Sequence, residues 1–107
     1  MAESRNKRVL IVDNDEQEAR TLGVMLEDAG YASSMTWSGL EALELLRSGG
    51  YDIVLVSSYL PDLYVGDFFD RLSHLPVQPC SIVMTEGRPP AATLLEMKSM
   101  IGEEEYQ

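Results

Sequence analysis

The sequence predicts an α/β domain in which helices cover both faces of a parallel sheet. Short apolar runs, typical of buried strands, alternate four times with segments whose apolar residues recur at helical spacing. Short connections and right-handed crossovers turn this alternation into a doubly wound parallel sheet. The chain has 107 residues, of which 45% are hydrophobic, so we expect a single domain over residues 1–107 with a buried core.

The first part of the chain predicts two strands and a helix after a flexible polar lead at residues 1–7. Residues 9–12 are a compact apolar run, as expected for a central strand. Between residues 16 and 29 the apolar side chains share one helical face, and Gly30 ends that helix. Residues 31–36 are more polar, which indicates an edge strand.

Ser38 and Glu41 predict where the second helix begins. A serine with a glutamate three residues later forms a capping box, in which each side chain accepts the other residue's free backbone N–H. The helix that follows carries Leu40 and Leu43 on its apolar face and ends at Gly49.

The second half of the chain predicts two further strands and two further helices. Residues 53–56 and 80–84 are apolar strand segments, and residues 65–72 lie between them at helical spacing. Pro89 and Pro90 open the last helix, because proline fits a first turn that has no N–H to satisfy. The buried face of this helix is marked by Leu94, Met97 and Ile101.

Charge and composition limit the kinds of partner. The net charge of −10 argues against DNA or RNA, since phosphate backbones are bound by clustered lysine and arginine. No apolar run approaches the length of a membrane span, and the first residues do not resemble a signal peptide. The single cysteine, Cys80, fits a reducing compartment. We therefore expect a cytoplasmic protein with no nucleic-acid or membrane partner.

Several stretches, in order and covering nearly the whole chain, resemble the receiver domains of bacterial response regulators (CheY-like). They are Val12-Asp13-Asn14-Asp15, Gly30-Tyr31, Ser38-Gly39-Leu40-Glu41-Ala42-Leu43, Tyr51-Asp52-Ile53-Val54-Leu55-Val56 with Leu60-Pro61, and Ile82-Val83-Met84-Thr85. Each stretch is a weak motif, whereas the ordered set is specific. The resemblance implies a flavodoxin-like sheet of order 2-1-3-4, with its site at the carboxyl ends of the strands.

The resemblance also implies which residues depart from the family's phosphotransfer site. Ser57 occupies the position of the aspartate that accepts the phosphoryl group, and Asn14 occupies that of the second acidic residue. Asp13 is retained as a weak remnant ligand for Mg²⁺, and Thr85 keeps the family's switch hydroxyl. A serine nucleophile needs an adjacent base, and Mg²⁺ prefers anionic oxygen ligands. We expect no cofactor, with Mg²⁺ binding weak or absent.

The end of the sequence departs from the family as well. Residues 102–106 resemble the turn into a fifth strand, and the sequence stops one residue later, without the family's lysine, fifth strand and fifth helix. We expect the fourth strand and last helix to be covered by a second copy of the chain. The candidate interface residues are Ile82, Met84, Leu94, Met97, Met100 and Ile101. The alternative is that these residues belong to the ordinary core of the domain.

These observations favour a degenerate receiver that is not an enzyme. It would act without phosphorylation, as a protein-interaction or dimerisation module in a two-component or phosphorelay pathway, binding itself or another signalling protein. The alternative is an active receiver that accepts the phosphoryl group on Ser57, Asp62 or Asp67. A small-ligand site in the vacated pocket, and a sequence that is a shortened piece of a longer receiver, also stay open.

Overall fold

The structure follows the predicted alternation of strands and helices. The computed structural model describes residues 7–102. Its elements, in chain order, are β1 (Arg8–Val12), α1 (Glu16–Asp28), β2 (Ala32–Thr36), α2 (Gly39–Arg47), β3 (Ile53–Ser57), α3 (Val65–Leu72), β4 (Cys80–Met84) and α4 (Pro90–Met100). Every predicted strand and helix is therefore present, with small shifts at the ends.

The four strands form one parallel sheet in the order β2-β1-β3-β4. In the centre, Leu10 of β1 lies opposite Ser34 of β2 and Val54 of β3. At one side, β4 pairs with β3, with Ile82 opposite Leu55. This order confirms the prediction, and it brings the carboxyl ends of β1, β3 and β4 next to one another.

Two hydrophobic cores lie on opposite faces of the sheet, because successive strand residues point to opposite sides. One core joins the sheet to α1 and α4 and includes Val9, Ile11, Leu22, Leu26, Ile53, Leu55, Ile82 and Met97. The other joins it to α2 and α3 and includes Leu10, Val12, Leu43, Leu46, Val54, Val56 and Phe68. Both faces of the sheet are covered, so its central strands β1 and β3 are continuous apolar runs in the sequence, whereas the edge strand β2 is more polar.

The turn from α1 into β2 differs from the prediction by one residue. Tyr31, expected as the first strand residue, precedes β2 and is buried, and its N–H donates to the Leu26 carbonyl at 3.0 Å. Gly30 before it has a φ of 97°, in the left-handed region that favours glycine. Gly30 also donates its N–H to the Glu27 carbonyl at 3.0 Å, so backbone hydrogen bonds close the helix and one glycine redirects the chain.

Lys7 belongs to the fold and not to a flexible lead, because its carbonyl accepts the N–H of Ala32 at 3.1 Å. The rest of the predicted lead, residues 1–6, and the residues after Gly102 that resemble the turn into a fifth strand lie outside the described residues. No helix within residues 7–102 is long and apolar enough to cross a bilayer.

Candidate functional site

A cleft of about 560 Å³ opens at the carboxyl ends of β1, β3 and β4. It brings together all four residues that the sequence places at the site, Asp13, Asn14, Ser57 and Thr85. The remaining residues that line it are Asp15, Glu18, Ser58, Tyr59, Met84, Glu86 and Gly87. The cleft is therefore made where the topology of a doubly wound sheet puts its ligands.

Asp13 is held rigidly at the end of β1 and is only 2% exposed. Its N–H donates to the Thr36 carbonyl at 3.0 Å, and its Oδ1 accepts the N–H of Asp15, also at 3.0 Å. One oxygen of this carboxylate is thus already used by the loop between β1 and α1. The next residue, Asn14, is exposed.

Glu18 is a cleft residue that the sequence did not indicate. Asp15 caps α1 by accepting the N–H of Glu18 at 3.1 Å, and this first turn brings Glu18 beside Asp13. Burial raises the pKa of Glu18, and the charge and hydrogen bond of Asp13, with the charges of Asp15 and Glu86, raise it further. Its place three residues after a helix-capping aspartate at the site is the signal that could have identified it.

Ser57 is the last residue of β3, and its side chain is half-buried. Its Oγ accepts the N–H of Tyr59 at 3.2 Å, which uses the hydroxyl as an acceptor in the loop after the strand. The same loop is tied to β4, since Ser58 donates its N–H to the Met84 carbonyl at 3.1 Å. Within residues 7–102, no histidine or lysine lines the cleft beside this hydroxyl.

Thr85 and Glu86 follow β4 and are both exposed at the mouth of the cleft. Glu86 is a second acidic residue that the sequence did not indicate, although its position directly after the predicted strand and Thr85 could have identified it. With Asp13, Asp15 and Glu18 it completes an acidic lining, to which the described part of the chain contributes no arginine or lysine.

Among residues 7–102, the oxygen donors of the cleft are not arranged as a preformed Mg²⁺ site. This ion takes near-octahedral oxygen ligands, usually including one or two free carboxylates. Asp13 Oδ1 accepts the Asp15 N–H, and Glu18 lines the cleft together with Asp13. In the part of the chain that the structure describes, no group of three or more His, Cys, Asp or Glu residues is arranged to hold a metal ion.

Asp62 and Asp67 lie outside this cleft, around the loop between β3 and α3. The Asp62 carboxylate accepts the N–H groups of Gly39 at 3.0 Å and Leu40 at 3.2 Å, and the Ser38 hydroxyl at 2.9 Å. Desolvation acts to raise the pKa of Asp62, but these hydrogen bonds outweigh it and lower the pKa. Asp62 therefore caps α2 from a distant loop, as a carboxylate at a helix N-terminus does.

The predicted capping box forms only in part. Ser38 Oγ accepts the Glu41 N–H at 3.0 Å, as expected. The Glu41 carboxylate does not return to the Ser38 N–H, because it accepts the hydroxyl of Thr36. The Ser38 N–H donates to that same Thr36 hydroxyl at 3.2 Å. Thr36 is buried, and its hydroxyl is satisfied locally: it donates to Glu41 and accepts the Ser38 N–H.

The expected interface on β4 and α4 needs correction. Ile82, Met84 and Met97 are buried, since these side chains point into the core shared with α1. Leu94 and Ile101 are partly buried against the same core, whereas Met100 is 53% exposed. The outward side chains of this region that the prediction missed are Val83 and Leu95.

No family model matches the chain. Individual proteins do. Over 77 residues the chain is 35% identical to the polar-differentiation response regulator DivK of Brucella anthropi. The aligned region covers 66% of this chain and 63% of DivK. It is also 35% identical over 77 residues to the transcriptional regulatory protein YkoG of Bacillus subtilis, covering 72% of this chain and 34% of YkoG. The chain thus spans between about a third and two thirds of the length of these relatives.

The fold agrees with solved receiver domains. A CheY-like receiver domain from Methylobacillus flagellatus superposes with a TM-score of 0.75 at 22% identity, covering 89% of this chain and 98% of that domain. Strand order, the position of the cleft and the similarity to named response regulators agree with one another. The chain belongs to the response-regulator receiver domains, the signalling modules of two-component pathways.

Proposed function

We propose that this receiver domain acts without accepting a phosphoryl group and works through contacts with other proteins. The single observation that carries the proposal is Ser57, which stands at the carboxyl end of β3 in a cleft lined by carboxylates and, among residues 7–102, by no basic residue. Nucleophilic attack needs a proton acceptor placed at the serine hydroxyl. Carboxylates line the cleft, but the hydrogen bond of Ser57 Oγ is with the Tyr59 N–H and not with one of them.

The charges of the cleft support the same conclusion. Phosphoryl transfer is catalysed by cations that balance the charge on the transferring group. Here Asp13, Asp15, Glu18 and Glu86 line the cleft instead. A pair of like charges about 4 Å apart repels by roughly 1 kcal/mol even in bulk water, and by more near a protein surface. An incoming phosphate therefore meets repulsion from several carboxylates.

Incubation with acetyl phosphate and Mg²⁺, followed by intact-mass spectrometry, tests the proposal. We expect no species heavier by one phosphoryl group, while an active receiver domain in a parallel reaction becomes labelled. A labelled product would contradict the proposal and support an active receiver. Loss of the label in Ser57→Ala, Asp62→Asn or Asp67→Asn would then identify the acceptor.

We further propose that β4 and α4 form a contact surface for a second copy or for another signalling protein. Among residues 7–102 no strand pairs with the outer side of β4, and Val83 is 38% exposed there. On α4, Leu95 and Met100 are 68% and 53% exposed while Met97 is buried. A helix with apolar residues on opposite sides is typical of one covered on both.

Size-exclusion chromatography with light scattering, over a range of concentrations, tests for the second copy. We expect a dimer that Leu95→Glu converts to a monomer, because a charge in the centre of an apolar contact is left unsolvated. Val24→Glu, at a side chain 60% exposed on α1, is the matched control and leaves the dimer intact. A wild-type monomer at every concentration would exclude self-association and leave another signalling protein as partner.

We place this module in the cytoplasm.

A further inference from the structure

The exposed aromatic side chains of the described residues lie on two loops at the carboxyl end of the sheet. Tyr64 is 83% exposed, Tyr59 67% and Trp37 50%, with Leu40 beside them at 45%. The other aromatic residues among positions 7–102 are buried or half-buried. We call Trp37, Leu40, Tyr59 and Tyr64 the aromatic rim. Exposed tyrosine and tryptophan are enriched in binding hot spots.

The two loops that carry the aromatic rim are joined by Asp62. Its carboxylate, from the loop between β3 and α3, accepts hydrogen bonds from Ser38, Gly39 and Leu40 next to Trp37. The loops also pack closely, since a Cβ on Gly39 would come within 3.0 Å of Leu60 Cδ1. The rim is thus held in place before a partner arrives, which lowers the ordering cost of binding.

The two loops of the aromatic rim are acidic, whereas Leu40 also borders a hollow that contains Arg47 and Arg71. Residues 37–41 and 58–67 contain Glu41, Asp62 and Asp67 and no lysine or arginine. Tyr59 and Tyr64 line a hollow of about 410 Å³ together with Asp62 and Asp67. Its hydrogen bonds hold the pKa of Asp62 below the ordinary value, despite some desolvation, so that this charge persists in mildly acidic solution. Aromatic faces and carboxylates both attract cations.

We propose that the aromatic rim docks a cationic segment of a partner protein. An arginine or lysine side chain of that segment enters the hollow between Tyr59 and Tyr64, near the carboxylates of Asp62 and Asp67. An apolar side chain of the same segment rests on Trp37. A second copy of this chain is disfavoured at this surface, because two chains of net charge −10 repel each other where each is acidic. The proposal is independent of whether Ser57 accepts a phosphoryl group.

Selection from an unbiased displayed-peptide library tests the chemistry of the partner. Wild-type protein is the bait, and a Tyr59→Ala/Tyr64→Ala variant is used for counter-selection. We expect peptides enriched in arginine or lysine and in apolar residues. Enrichment of acidic or uncharged peptides, or no enrichment over the variant, overturns the proposal.

Titration of the selected peptide then locates its site. Trp37 is the only tryptophan in the chain, so its fluorescence reports binding at the rim without a label. We expect a saturable change, at least 10-fold weaker binding to the double tyrosine variant, and a loss of a few fold in Asp67→Asn. A peptide with citrulline in place of arginine, which keeps the shape and removes the charge, is expected to bind at least 10-fold more weakly.

The matched control variant is Val24→Ala/Val77→Ala, which truncates two side chains that are 60% and 67% exposed outside the rim. We expect it to bind the peptide as the wild type does. Equal binding to the double tyrosine variant would mean attraction to the acidic chain as a whole and would overturn the proposal. Amide chemical shifts of the wild-type protein give the same answer without substitution, since they are expected to change at residues 37–41 and 58–67 and not along α4.

Discussion

Two carboxylates beside helix N-termini, Asp62 and Glu18, are in opposite electrostatic situations. Asp62 is surrounded by donors, and its hydrogen bonds from Gly39, Leu40 and Ser38 lower its pKa although desolvation acts to raise it. Glu18 is surrounded by acceptors, and burial followed by its contact with Asp13 raises its pKa.

The contrast teaches that the two loops at this end of the sheet are stabilised differently. The loop after β3 gains from the charge of Asp62, because that charge joins it to α2. The cleft at β1 carries more negative charge than its own donors balance, so it would gain from losing a charge at Glu18. A receiver that binds Mg²⁺ and a phosphoryl group balances such carboxylates with cations, and none of the described residues that line this cleft is cationic.

The largest expected effect comes from removing the carboxylate of Asp62, which is surrounded by hydrogen-bond donors. Asp62→Ala deletes three hydrogen bonds to the start of α2, and we expect the free energy of unfolding to fall by about 1–2 kcal/mol, as for the loss of a helix cap. Urea denaturation measures this change. The matched control is Asp67→Ala, which removes an exposed carboxylate from the same region and is expected to change stability by less than about 0.5 kcal/mol. Equal losses in both variants would show that Asp62 contributes only general charge.

Neutralising the poorly matched carboxylate is expected to have a smaller effect of opposite sign. Glu18→Gln removes the repulsion from Asp13 and keeps a donor that can bond to it, so stability at pH 7 is expected to rise by about 0.5–1 kcal/mol. Thermal unfolding in EDTA measures the gain. Glu16→Gln is the control on the same turn of α1, and because Glu16 pairs with Arg20 we expect no gain from it. A loss of stability in Glu18→Gln would mean that the Glu18 charge has a partner.

The pH dependence distinguishes the two carboxylates by the direction in which their contributions change. The folded pKa of Glu18 lies above its ordinary value of 4.5, so its contribution is present below pH 4.5 and is lost as pH rises through the raised pKa. For Asp62 the folded pKa lies below 3.8, so its contribution is present above pH 3.8 and is lost as pH falls through the lowered pKa. At neutral pH, Glu18→Gln should therefore be more stable than the wild type and Asp62→Asn less stable. On acidification both differences in the free energy of unfolding should become smaller. Parallel curves at all pH values would contradict both assignments.

Local patterns in the sequence predicted the fold well, because they act over short distances. The apolar run of β1, the glycine after α1 and the Ser38 cap all depend on neighbours a few residues away, and each is present. The strand order follows from topology rules and from the resemblance to receivers.

Contacts between distant residues could not be predicted in the same way. Asp62 meets Ser38 across 24 positions in the chain, and no local pattern indicates that pairing. On α4 the spacing marked Met97 as buried, but apolar residues occur all around the helix, so spacing did not show that Leu95 and Met100 are exposed. Glu18 and Glu86 were missed because the resemblance drew attention to the family's own positions, whereas the surplus charge of the cleft comes from other side chains.

The smallest expected effect is the response to Mg²⁺, which would reduce the repulsion between the carboxylates of the cleft if it bound there. A ligand present at its own Kd stabilises a protein by about 0.4 kcal/mol, so a smaller shift in about 10 mM Mg²⁺ places the Kd above that concentration. After subtraction of the shift in NaCl of equal ionic strength, we expect the stabilisation by Mg²⁺ to stay below about 0.4 kcal/mol. The reason is that Asp13 already accepts the Asp15 N–H and lies beside Glu18. Thermal unfolding of the wild type and of Asp13→Asn makes the measurement. A stabilisation above about 1 kcal/mol that disappears in Asp13→Asn would show that these carboxylates act together as a metal site, and the contrast between Glu18 and Asp62 would then hold only for the metal-free domain.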